Sequence, residues 1–125
     1  MATTAQNPTT DGVVANYTTF GSSALASGNF SPPYDKGRTM THEVGHFLGL
    51  RHIWGDNSAC PATNTALDKD FVADTPAANS ANFDCPTGTN SCPSNPGNDM
   101  IENYMDYTDD SFMNIFTSGQ KDRIT

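Results

Sequence analysis

Between Arg51 and Met100 the sequence carries no sustained helical or strand-like hydrophobic period, and this restricts the possible folds more than any single residue does. So long an irregular segment is improbable in a compact domain unless something other than hydrophobic burial holds it. The composition agrees. Apolar residues make up 35% of the chain, against roughly 45–50% (glycine included) in ordinary globular proteins, and there are 10 Gly and 8 Pro. At 125 residues the chain is one domain at most, loop-rich and with a small core, of the kind that metals or disulfides hold together.

Periodic elements are expected only outside that segment. "DGVVANY" (Asp11–Tyr17) reads as a strand, since a turn pair leads into β-branched and aromatic residues. The run 20–37 is small, polar and broken by proline, hence a loop. A helix is predicted from Arg38 through "RTMTHEVGHFLGL". Met40, Val44, Phe47 and Leu48 share one of its faces, expected to pack, while His42, His46 and Gly49 lie nearly opposite. Near the end, Thr117 and Gln120 form a capping-box signature with five residues to follow, which predicts a fragment of a larger domain. Residues 1–10 are expected to be a polar lead-in and not a signal peptide.

The net charge of −8 argues against a nucleic-acid partner, which would call for a basic surface. No run approaches the ~20 apolar residues of a membrane helix, so no membrane partner is expected. Twelve of the fourteen acids are aspartates, a residue suited to turns and to oxygen-ligand cation sites.

All three histidines fall within "THEVGHFLGLRH", Thr41 to His52. His42 and His46, four apart on a helix, project from one face and can bind a single zinc ion. Glu43 beside them can take a proton from a metal-bound water. Gly49 can adopt positive φ and end the helix in a sharp turn, which brings His52 round as third ligand. Three ligands leave one position open for water, as a hydrolytic zinc requires. A structural zinc would want four, and the cysteines stand later at unsuitable spacings.

The string His42-Glu43-Val44-Gly45-His46-Phe47-Leu48-Gly49-Leu50-Arg51-His52 resembles the long zinc signature of the metzincin metallopeptidases. "NYMDY" (Asn103–Tyr107) is similar to their methionine turn, and "ADTP", "PGND", "NYMDYTDD" and "FTSGQKDR" look like the pappalysin (cytophagalysin) group. The resemblance implies an α+β, metzincin-like catalytic domain over 1–125, truncated. Residues 11–52 would supply the last sheet strand and the active-site helix, and 53–125 a C-terminal subdomain. It further implies a secreted zinc endopeptidase acting on protein or peptide substrates, with Glu43 as general base. Met105 would be the floor beneath the imidazoles, much as an ordinary core methionine would be. Tyr107 would reach the zinc or the tetrahedral intermediate, or else sit half-buried with its hydroxyl in water.

Calcium is a second implied metal. Asp70, Asp74 and Thr75 are the first candidates, Asp68 and Asp84 lie in the same irregular segment, and solvated loop aspartates are the plain alternative. By the same analogy Cys60 pairs with Cys92, closing a loop of about thirty residues at roughly 3–4 kcal/mol. Phe112 occupies the place of a fourth cysteine, so Cys85 would be free or buried against Phe112. The competing functional expectation is a non-catalytic zinc-binding fragment that lacks the substrate-binding sheet.

Overall fold

The computed structural model describes Thr9, residues 11–62 and residues 70–125; Asp68 and most of the lead-in lie outside the described residues. Regular structure there is limited to a 3-10 turn, Tyr17–Thr19, and two helices, α1 (Arg38–Phe47) and α2 (Ser118–Ile124). As expected, the segment 51–100 contains neither helix nor strand among its described residues.

The expected strand Asp11–Tyr17 does not form. Val14 is 89% exposed and Tyr17 76%, and the chain turns into the 3-10 element with the Asn16 side chain accepting from Thr18 N at 3.0 Å. A strand needs a neighbour to hydrogen-bond, and among the described residues β pairing is confined to an isolated parallel bridge, Asn103–Ile115. The described residues therefore bear out the helices of an α+β reading and not its sheet.

Helix α1 begins without a side-chain cap of its own. Asp110 does that work from far along the sequence: its Oδ2 accepts from Lys36 N at 2.8 Å and Arg38 N at 3.1 Å, placing negative charge at the helix N-terminus. At the other end Gly49 takes φ +95°, Gly49 N donates to His46 O and Leu50 N to Gly45 O. The glycine stop the sequence suggested is thus present, and it is closed by two hydrogen bonds. The capping box of α2 also forms, Thr117 accepting from Gln120 N and Gln120 Oε1 from Thr117 N.

Which face of α1 packs is the reverse of expectation. His42 and Gly45 are buried, whereas Val44, Phe47 and Leu48 are 37–43% exposed. The methionine turn lies beneath the histidine side and forms the core there, where Leu50, Ile53, Ala78 and Met105 cluster with Trp54, Met100 and Ile124 against them.

The irregular segment is held as its composition requires. Cys60 and Cys92 form a disulfide with Cα atoms 5.5 Å apart, and Cys92 is fully buried. Cys85 is a half-buried free thiol, and Phe112 stays 39% exposed. Polar side chains tie the rest. Asn82 donates to Asp106 from both its backbone and its amide and to Asp99 from the amide, all three residues being buried.

Candidate metal centre

Helix α1 and the turn after Gly49 bring His42, His46 and His52 together with one ligand nitrogen from each inside 4.8 Å of the others. His46 Nε2 and His52 Nε2 are 3.0 Å apart, close to the ~3.3 Å that two nitrogens span around one tetrahedral zinc at about 2.0–2.1 Å. Each remaining nitrogen has an acceptor. His42 Nδ1 faces Tyr104 O at 2.6 Å, His46 Nδ1 faces Leu50 O at 2.9 Å, and His52 Nδ1 faces the Asp56 carboxylate. Acceptors at Nδ1 place the proton there and leave the Nε2 lone pairs for a metal. Burial lowers the pKa of His42 to about 4, with His46 and His52 adding to the effect, so the ring is neutral at neutral pH. His52 is lowered as well, again mainly by burial. Three imidazole nitrogens facing one another suit a borderline cation such as zinc.

The methionine turn supports this group from below. Met105 is fully buried, its N–H donates to Asn103 Oδ1 at 2.9 Å, and its carbonyl accepts from Ile53 N at 3.2 Å. Asn103 and Gln120 exchange amide hydrogen bonds at 2.8 and 3.0 Å, joining the turn to α2. The rings around the ligands are aromatic. Trp54 stacks on His52 at 4.2 Å, and Tyr107 lies 4.9 Å from His52 and 5.5 Å from His42.

Beside the histidines opens a cavity of about 90 Å³, lined by Tyr34, Glu43, Asp106, Tyr107, Asp110 and Met113 among others. Glu43 and Tyr107 thus face the same space as His42. The Tyr107 phenol is held above its ordinary pKa, first by burial and then by Asp56, Glu43 and Asp106, which keeps its O–H as a donor. Asp110 is buried, and its Oδ1 has no hydrogen-bond partner. The Tyr34 phenol is likewise raised, first by burial and then by the nearby Asp109, Asp84 and Asp110.

The family pattern of peptidase M43, described as pregnancy-associated plasma protein-A, matches residues 2–125. This chain belongs to the M43 family. Among its M43 relatives, an extracellular metalloprotease of Arthroderma benhamiae is 47% identical over 102 residues, 82% of this chain and 35% of that protein. One of Neurospora crassa is 49% identical over 92 residues, covering 74% and 30%. Mature mirolysin of Tannerella forsythia, solved with a cleaved peptide, superposes with a TM-score of 0.77 at 49% identity, over 94% of this chain and 41% of that one. The chain thus spans about a third of the length of the curated relatives it matches.

The other residues the sequence singled out are arranged differently. Asp70 and Thr75 meet in a buried loop, where Thr75 Oγ1 donates to Asp70 Oδ2 at 2.6 Å and to Val72 O at 3.0 Å. Asp74 is exposed and turned away from them, its Oδ2 accepting from Gly119 N at 2.9 Å at the start of α2. Asp84 sits elsewhere, its carbonyl accepting from Asp109 N. Sequence reasoning missed Gly45, Asp56 and Asp110. Gly45 had a signal, since a mid-helix glycine costs about 1 kcal/mol against alanine and asks for a reason. Nothing local marks the other two.

Proposed function

We propose that this chain carries the catalytic centre of a secreted zinc endopeptidase that hydrolyses protein or peptide bonds. The observation that supports it most is the cluster of His42, His46 and His52, of which His42 lines one cavity together with Glu43 and Tyr107. His42, His46 and His52 would hold the zinc through Nε2. Bound there, zinc supplies Lewis acidity toward a peptide carbonyl and lowers the pKa of a water.

The remaining chemistry falls to the chain's own groups. Glu43 takes a proton from the water that attacks the carbonyl carbon, then delivers it to the amine nitrogen as the C–N bond breaks. Tyr107, kept protonated, donates to the oxygen on which negative charge develops. The cavity beyond them receives a substrate side chain. Asp110, among the residues that line it, favours a basic one. Met105 keeps the ligands in place from beneath, and Gly49 supplies the turn that delivers His52.

Secretion is supported by the extracellular relatives and by the Cys60–Cys92 bridge, since disulfides persist in oxidising compartments. Among the described residues no helix is long and apolar enough to cross a membrane. The substrate class is supported by the cleaved peptide in the mirolysin complex. We place calcium, as a structural ion, at Asp70 and Thr75 with the Val72 carbonyl. Two buried oxygen-bearing side chains and a carbonyl converge there, and Asp70 is left costly to ionise. Within this reading residues 11–52 bring the active-site helix, and 53–125 form a C-terminal subdomain around the methionine turn.

A second reading, a zinc-binding fragment or scaffold without catalysis, is favoured by the want, among the described residues, of a sheet edge on which a substrate strand could pair. Zinc-loaded wild type and Glu43→Ala, each given a quenched protein substrate, separate the two. Hydrolysis that disappears in the variant while one zinc stays bound supports the peptidase. One bound zinc and no hydrolysis by wild type supports the fragment.

A further inference from the structure

His52 differs from the other two rings in what holds its outer nitrogen. His42 and His46 face backbone carbonyls, which are neutral, whereas His52 Nδ1 faces a carboxylate oxygen of Asp56. The backbone goes out of its way to put that carboxylate there. Gly55 and Asp56 are consecutive residues at φ +65° and +58°, and Gly55 N donates to His52 O at 2.8 Å, closing the turn. Left-handed backbone is free for glycine but uncommon for other residues and costs them of order 1 kcal/mol. The Asp56 side chain is 42% exposed, so core packing does not account for it.

We propose that Asp56 is the positioning residue of His52, fixing its Nδ1–H tautomer and aiming its Nε2 at the zinc. This rests on the zinc reading of the site. Trp54, stacked on the ring with an interplanar angle of 5°, restrains one face while Asp56 restrains the edge. Asp56 also sets a negative charge next to a cation otherwise held by three neutral rings. His52 needs this support most, because it follows the helix stop, whereas His42 and His46 are fixed by α1 itself.

The competing explanation is that aspartate is present only to tolerate the turn, and the test separates the two. Asp56→Gly suits φ +58° better than aspartate does, so any loss it causes comes from the missing side chain. Zinc Kd is measured on the full chain by competition with a chromophoric chelator, and the cobalt-loaded protein is read by its visible absorption. Asp56→Gly is expected to bind zinc about 10–100-fold more weakly with altered cobalt bands. Asp56→Asn, which keeps an acceptor without charge, should fall about tenfold below wild type. The exposed-surface control Asp122→Asn should match wild type. An affinity for Asp56→Gly within about twofold of wild type with superposable cobalt bands overturns the proposal, as does an equal loss in Asp122→Asn. Should the glycine variant be insoluble, wild-type affinity and bands in Asp56→Asn overturn it instead. If wild type itself binds no zinc, the zinc reading fails, a separate result.

Discussion

The sulfur of Met105 occupies the place where a side chain on Gly45 would begin: a Cβ built at Gly45 falls 2.5 Å from Met105 Sδ. The helix that carries His42 and His46 therefore rests directly on the methionine turn, backbone against thioether. Gly45→Ala must push one away from the other. The expected cost is that of overpacking, about 1–3 kcal/mol, in spite of alanine's better helix propensity. Thermal unfolding with and without zinc reads it, and zinc affinity should fall in parallel. A more stable Gly45→Ala protein would mean that helix and turn do not touch in this way.

Tyr107→Phe removes a donor and leaves the ring on His52 in place. If the hydroxyl meets the developing oxyanion, kcat falls by about 10²–10³-fold while zinc content and substrate KM change little. Steady-state kinetics beside metal analysis checks this. An active variant with wild-type kcat takes Tyr107 out of the mechanism.

Asp70 ties stability to pH and, in the proposed calcium site, to that ion. Burial raises its pKa from 3.8 to about 6, with the Thr75 hydroxyl and the Val72 N–H offsetting part of the shift. The native state thus holds this proton more tightly than the unfolded chain does. Its contribution is complete below about pH 4 and gone above about pH 6, so it falls as pH rises. His42, lowered from 6.5 to about 4, contributes in the opposite direction over the same window. The informative quantity is therefore the Tm difference between wild type and Asp70→Asn. In chelator-treated protein that difference should shrink by on the order of 5 °C between about pH 4 and pH 6. At pH 7 added calcium should raise the Tm of wild type and leave Asp70→Asn unmoved. A calcium response that survives in Asp70→Asn places the ion elsewhere.

Asp110 lines the cavity and holds the start of α1 through Oδ2, while its buried Oδ1 has no hydrogen-bond partner. Asp110→Asn keeps an acceptor for the helix and removes the charge. Peptides with Arg or Lys beside the cut bond should lose about tenfold or more in kcat/KM relative to those with Leu, with modest loss for the latter. Profiling cleavage of a peptide library by both proteins decides it; an unchanged profile denies Asp110 a part in selection.

What the sequence made legible was local. The helix start near Arg38, the glycine stop at Gly49, the capping box at Thr117 and the histidine spacing depend on residues within a turn or two of each other. Asp11–Tyr17 misled because a strand is a pairing, and propensity names only one of its partners. Periodicity grouped Val44, Phe47 and Leu48 on one side of α1 but carries no information about which side meets the rest of the chain; Gly45 and Met105 settle that. Asp110, capping a helix some seventy residues earlier, belongs to contacts that no window along the chain contains.

The paired amides of Asn103 and Gln120 carry a consequence for how the molecule comes into being. A ribosome delivers Gln120 some seventy residues after the histidine helix, so through that interval the imidazoles lack the floor that the joined turn and α2 provide. The histidine cluster thereby gains its support only after the methionine turn and α2 have both been added.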